Sequence, residues 1–337
     1  MPVRFGVTVA PDLSPAVWRD KVRALDDSPV DVLLVNDHLT GLRYAPMVAL
    51  AAAAEHSRRL RLGTVVLAND YRHPAILAKE AATLDLLSEG RLELGIGAGW
   101  MRSDYDQAGL SFDSPGVRLA RLREAVDVLR GAWSDKPFSY YGDHYRADEL
   151  DFAPRPVQRP HPPLLLGGGG RVMLRFAARE ADIVNITNQT AADGRGVAPA
   201  DVGLAPLLAK LALVREAAAE RPVPPEVSVG VRATAVGQDL GPVHPAVADQ
   251  VDALRGTPFL LEGSVDEVTD QVLYWHQEHG ISYFILGNDT DAKPMFPVME
   301  RVRATALTSR QALRTADPAL SRRWPLLLPI QASAWYT

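Results

Sequence analysis

The chain has 337 residues, with 36 basic and 41 acidic side chains, a formal charge of −5 and no cysteine. The missing thiols exclude disulfides, thiolate zinc sites, iron–sulfur clusters and cysteine nucleophiles, and the acidic balance offers no basic face for nucleic acid. No apolar run reaches the length of a membrane span, and Met1 to Gly6 enter a strand pattern without signal-peptide architecture, so a cytoplasmic protein with no membrane or nucleic-acid partner is expected.

The predicted elements alternate along the chain. Short apolar runs at 4–9, 30–35, 60–67, 92–97, 164–167, 183–186, 227–233 and 282–286 read as strands. Most are continuous rather than alternating, as parallel strands covered on both faces should be. Between them lie helical patterns at 14–25, 46–56, 74–87, 118–129, 172–178, 206–219, 265–280 and 295–302. The first opens with Ser14-Pro15, a cap followed by a first-turn proline. Pro74 opens the third, which carries Ile76, Leu77, Ala81, Leu84 and Leu87. The fourth places Leu119, Leu122, Val126 and Leu129 on one face. Eight strands alternating with eight helices predict a single (β/α)8 TIM barrel over residues 1–308, with a doubly wound open sheet as the competitor. Residues 131–163 and 187–205 interrupt the rhythm as long insertions in the βα loops, and loops of that length tend to be functional. Residues 309–337 leave the pattern and form a C-terminal extension with an apolar stretch at 323–330.

A barrel carries its chemistry on the loops after the strands. Strand 2 ends in Asn36-Asp37-His38, an acid and an imidazole that suit proton transfer, or else a loop-capping Asp and a surface His. Strand 3 ends in Asn69, Asp70 and Tyr71, and then His73-Pro74 starts a helix. Strand 4 runs into Gly95, Gly97 and Gly99, followed by Trp100 and Arg102. This run imitates a dinucleotide loop, but its third glycine comes one position early and no acid ends a following strand. Its glycines instead suit the close approach of a flat ligand. Strand 5 ends in Gly167, Gly168, Gly169, Gly170 and Arg171 at a helix start, where free backbone N–H groups suit a phosphate. His276 and His279 share a helix face without a third ligand, so no metal site is expected.

The segment 60–67, Arg72-His73-Pro74 and the run from Lys79 to Trp100 together resemble the bacterial luciferase-like flavin oxidoreductases, a likeness that spans roughly residues 3–305. Asn36-Asp37-His38, the glycine run after Leu164 to Leu166, and Gly280 to Phe284 fit as well. The resemblance implies the same barrel. It makes His38, with Asp37 beside it, the active-site pair, and it sets Val65 and Val66 beneath the isoalloxazine, where that family often has a non-proline cis peptide. Gly168, Gly169, Gly170 and Arg171 take the phosphate turn, and residues 187–205 match the insertion that closes over substrate. Asn69, Gly97 and Gly99 join the cofactor set, while Trp100, Arg102, Tyr105 and Asn188 join the substrate pocket.

Family members use either reduced FMN with oxygen or the deazaflavin coenzyme F-420. The deazaflavin carries an anionic tail that favours a basic channel. The acidic chain, with one Arg and two Asp in 187–205, therefore favours a monooxygenase that uses reduced FMN on a bulky organic substrate. A high Ala, Arg and Pro content, shared with actinobacterial-type deazaflavin enzymes, points the other way, toward a dehydrogenase or reductase. A non-catalytic flavin-binding protein is the third expectation, disfavoured by the retained Asp37-His38. With no nicotinamide domain left over, a separate NAD(P)H:flavin reductase is the expected partner, and the family resemblance implies a homodimer.

Overall fold

The computed structural model describes residues 1–191, 194, 196–238, 240, 250–289 and 292–316, of which 306–316 are described as backbone alone. Thirteen strands are present: β1 (Arg4–Thr8), β2 (Val32–Val35), β3 (Arg61–Thr64), β4 (Leu67–Ala68), β5 (Leu92–Gly97), β6 (Phe138–Tyr141), β7 (Arg146–Leu150), β8 (Leu164–Gly168), β9 (Ile183–Ile186), β10 (Glu226–Val231), β11 (Ala233–Val236), β12 (Leu260–Gly263) and β13 (Ile281–Leu286). The helices are α1 (Pro15–Asp26), α2 (Pro46–His56), α3 (Pro74–Leu87), α4 (Arg102–Ala108), α5 (Pro115–Ala132), α6 (Arg171–Glu180), α7 (Leu204–Ala217), α8 (Val251–Leu254), α9 (Val265–His279) and α10 (Ala292–Ala316).

Eight strands close into a ring of parallel pairs in the order β1, β2, β3, β5, β8, β9, β10, β13 and back to β1. At the β3–β5 seam the Thr64 hydroxyl donates to Gly95 O at 2.7 Å and accepts from Gly95 N at 2.9 Å. The expected barrel is therefore present and the open sheet is excluded. Local signals start its helices. Ser14 caps α1 and Ser114 caps α5, each accepting from the third residue on, and His73 caps α3 by accepting from Ala75 N. Ser264 and Glu267 form a reciprocal capping box on α9, which Gly280 ends at φ +76°.

Each strand splits its side chains between two cores, because successive residues point to opposite faces. Phe5, Val7, Leu33, Leu94, Ile96, Leu166, Val229, Val231 and Leu286 face outward into the large core beneath the helices. Val32, Leu34, Leu165, Ile183, Tyr283 and Ile285 face inward as a small second core. The inside is crowded: a Cβ on Gly6 would lie 2.8 Å from both Leu34 Cδ1 and the Tyr283 hydroxyl.

Below this core, at the N-terminal ends of the strands, charges close the barrel. Glu93 is almost fully buried and meets Arg4 Nη1 at 2.5 Å and Arg61 Nε at 2.5 Å. Arg4 also reaches Glu226 at 2.6 Å and lies over the Tyr283 ring at 3.9 Å. Burial alone would raise the Glu93 carboxyl, but Arg4 and Arg61 outweigh it and hold it below its ordinary value.

Where the elements depart from the sequence pattern, a particular contact intervenes. The strand expected at 60–67 is divided into β3 and β4 at the Val65–Val66 peptide, which is cis. The strand expected at 227–233 divides at Arg232, beyond which β11 leaves the barrel to pair with β12. Inside 131–163 the antiparallel β6–β7 pair folds back, and α4 is a helix that the sequence pattern did not offer. Helix α10 runs through 308 to Ala316, while 317–337, most of the expected extension, lies outside the described residues.

Replacing Glu93 by Gln should destabilise the fold by about 3 kcal/mol at neutral pH, since it leaves Arg4 and Arg61 buried without their anion. Because the folded carboxyl titrates below its unfolded value of 4.5, this stabilisation is present in full above that pH and is lost as pH falls through the folded value. Denaturant unfolding at pH 7 and at pH 3 should show the gap between wild type and variant narrowing in acid. A gap that stays constant would count against the charge cluster as its origin.

Candidate active site at the mouth of the barrel

The inward register continues to the C-terminal ends of the strands, so Gly97, Gly167, Asn185 and Gly230 occupy inward positions near the top. Asn185 donates to Ser228 Oγ at 2.9 Å. Val66 packs against the inner core, and a Cβ on Gly97 or Gly167 would stand 2.8 or 3.2 Å from its methyl groups. The two glycines therefore leave a bare backbone floor around Val66, as a flat ring system requires. Gly99, at φ +77°, completes the turn. Its carbonyl accepts from Arg118 Nη1 at 2.9 Å, and a side chain there would strike the Tyr105 hydroxyl.

His38 follows β2 and is mostly covered, with its side chain 14% exposed. Its Nδ1 lies 2.8 Å from Oδ2 of Asp104, a residue of α4. Asp104 is fully buried and also accepts from Thr40 N at 3.1 Å, Thr40 Oγ1 at 2.5 Å and the Tyr71 hydroxyl at 3.2 Å. Burial would raise this carboxyl, but the hydrogen bonds from Thr40 and His38 prevail and hold it low. An ionised carboxylate at Nδ1 selects the tautomer that carries its hydrogen there and leaves Nε2 as a proton acceptor. Burial, then Asp104, pushes the Tyr71 phenol up, so it remains a donor. Trp100 meets the imidazole edge to face, with centroids 5.8 Å apart.

The expected Asp37–His38 pair is corrected to Asp104–His38. Asp37 is buried, accepts from Ala68 N at 3.0 Å and pairs with Arg72 at 2.8 Å, so it ties the end of β2 to β4. Burial is the largest influence on its carboxyl and raises it, against the pull of Arg72. Tyr105 is a second correction. It is fully buried and its hydroxyl donates to Asp70 at 3.1 Å, so it supports the Gly99 turn from below and presents no surface to a substrate. Asn69 is also buried and spends its amide on the Tyr145 hydroxyl at 3.0 Å.

The structure brings the remaining pocket residues together. Trp100 and Arg102 line a cavity of about 380 Å3 with Ser103, Asp106, Gly194 and Gly196. The last two belong to the 187–205 insertion, which thus lies against α4. On the far side, Gly168, Gly169 and Gly170 lead into α6, whose first turn begins at Arg171 with no side-chain cap. The opening N–H groups of such a helix have no partner within it. A Cβ on Gly169 would lie 2.4 Å from Gln189 N and 2.5 Å from Asn188 C, so the insertion lies close over this turn. Asn188 is held there by its amide, which donates to Asp201 O at 2.9 Å. His276 and His279 serve α9: the first bonds Ile281 O at 3.1 Å and the second lies beside Tyr274.

Sequence reasoning missed Asp104, Thr40, Tyr71 and Arg118. The one available signal was the acid in the first turn after the Gly-Trp run. Its partner, 66 residues away, is found only by folding.

Comparison with known proteins comes down on the same architecture. The family model for luciferase-like monooxygenases matches residues 3–240. The chain is 33% identical over 168 residues to an F420-dependent glucose-6-phosphate dehydrogenase of Amycolatopsis mediterranei, covering 48% of this chain and 50% of that one. It is also 33% identical over 134 residues to an FMNH2-dependent dimethylsulfone monooxygenase of Pseudomonas putida, covering 40% and 36%. The chain thus spans about half, or less, of the curated relatives it matches. In fold it is similar to the coenzyme F420-dependent tetrahydromethanopterin reductase of Methanopyrus kandleri, with TM-score 0.69, 20% identity and coverage of 89% and 98%.

Replacing Gly169 by Val should push the 188–189 segment off the glycine turn. Binding of FMN should weaken by about tenfold or more while riboflavin, which lacks the phosphate, loses little. Fluorescence titration of both ligands reads this, and equal losses would remove the phosphate assignment.

Proposed function

The chain belongs to the luciferase-like monooxygenase family, which holds both flavin monooxygenases and deazaflavin-dependent dehydrogenases, and from this premise we propose that it is a deazaflavin-dependent oxidoreductase acting on an alcohol. The observation that carries the reading is the His38–Asp104 dyad. Oxidising an alcohol to a carbonyl removes a hydride from carbon and a proton from oxygen, and a neutral imidazole with an ionised acid behind it is built to take that proton. The dehydrogenase relatives point the same way.

The residues present suit such a coenzyme. The bare floor formed by Val66, Gly97 and Gly167 accepts a flat ring, and the uncapped start of α6 accepts a phosphate. When bound, the deazaflavin supplies a two-electron hydride acceptor. The chain does the rest. Asp104 fixes the imidazole and stabilises its charge once the proton has arrived at Nε2. Thr40 and Tyr71 keep Asp104 ionised and in place. Trp100 and the 187–205 insertion shield the pocket from water.

A second reading, supported by the acidic net charge and by the Pseudomonas relative, is a monooxygenase that takes reduced FMN from a separate reductase. In that case the same dyad would hand a proton to or from the bound substrate.

Anaerobic titration separates the two. The deazaflavin should bind more tightly than reduced FMN and be reduced on addition of an alcohol substrate. Tighter binding of reduced FMN, with substrate-dependent oxygen uptake, would overturn the first reading. His38→Ala should keep coenzyme affinity and lose about 10²-fold or more in turnover, and unchanged turnover would remove its role. Asp104→Asn should also keep affinity while losing roughly 10²- to 10⁴-fold in kcat, through the wrong tautomer.

A further inference from the structure

The proton-accepting machinery lies on one side of the mouth, on the β2 loop and α4. Across the mouth, on the last turn of chain after β10, stands Arg232. Val229 and Val231 face the outer core, and Ser228 faces inward to Asn185. The alternation along the strand therefore puts Gly230 and Arg232 on the inward side, above the barrel's polar floor. A Cβ at Gly230 would meet nothing within 4 Å, so there is open space directly below Arg232.

Arg232 has no acid to answer it. Among the described residues no carboxylate ion-pairs with it, and its Nε is buried without a hydrogen-bond partner. Burial pulls the guanidinium below its ordinary value, the opposite of what a neighbouring carboxylate would do. The charge nearest in kind is another cation. Lys210 lies close enough for the two to repel, and its ammonium is already engaged by Asp201 and by Thr187 O at 2.8 Å. A buried, permanently charged fork with open space beneath it and a second cation beside it costs stability unless an anion completes it. The fork of N–H groups matches the paired oxygens of an oxyanion.

We propose that Arg232 is the recognition residue for an oxyanion, a carboxylate or a phosphate, carried by the substrate. The inference rests on the oxidoreductase reading only in calling the ligand a substrate. A substrate held at one end by Arg232 presents its other end toward the His38 side of the mouth. That gives the class: a hydroxyl-bearing compound with an anionic group remote from the reacting carbon. The glycine turn before α6 lies on β8, two strands away in the ring, and is left for the coenzyme.

The full-length protein, free of coenzyme, can be titrated calorimetrically with inorganic phosphate and with acetate. At least one should bind to wild type, and which one does identifies the oxyanion. Arg232→Gln should raise the Kd by roughly tenfold or more, whereas Gly169→Val should leave that binding unchanged. Should Arg232→Gln not fold by circular dichroism, Arg232→Met retains the apolar stem and serves instead. Coenzyme affinity should be the same in wild type and the Arg232 variants. The proposal is overturned if neither anion binds to wild type, if the Arg232 variants bind them equally well, or if binding is lost in Gly169→Val instead. Because no turnover is read, a failure of the dehydrogenase assignment would leave this outcome standing on its own.

Discussion

A carboxylate sealed from water must be met by cations, and Glu93 is met by two, Arg4 and Arg61, deep inside the ring of strands. Much of the molecule's layout depends on this arrangement. Arg4 is shared with Glu226, and Tyr283 roofs the group, so the N-terminal end of the barrel is shut by charge. The middle is shut by the small inner core, where glycines make way for Leu34 and Tyr283. Only the C-terminal end remains open, which is where side chains with unspent polar atoms collect.

At that end the labour is divided. Strands supply a bare floor, through Val66, Gly97 and Gly167, and the loops supply reactive groups on opposite rims. Rigid strands fix the former to within fractions of an ångström. The latter are held by second contacts: Thr40 and Tyr71 on Asp104, Arg118 on the Gly99 carbonyl, and Arg72 on Asp37. Each loop group of importance is thus anchored by a neighbour from a different loop.

The barrel was legible in the sequence because burial on both faces writes continuous apolar runs, and His38 and the glycine turns stand at the ends of those runs. His73 could be read as a helix start from Pro74 alone. What failed was whatever depends on a partner far along the chain. Asp37 adjoins His38 in sequence, yet Arg72 and Ala68 N claim it, while the acid on the imidazole comes from α4. Tyr105 looked like a pocket aromatic because residue type does not reveal which side of a helix is covered. The break at Arg232 was invisible because β11 pairs with a strand, 260–263, that shows no distinctive period.

Helix α4 has two careers. Asp104 and Tyr105 point into the protein, while Ser103, Asp106 and Gln107 border the cavity. Since each residue advances the helix by about 100°, point changes on the outer stripe can reshape what the cavity admits while the inner stripe holds the imidazole. Inserting or deleting one residue would rotate both stripes at once. Divergence of specificity in this barrel is therefore open to substitution and closed to changes of length within α4.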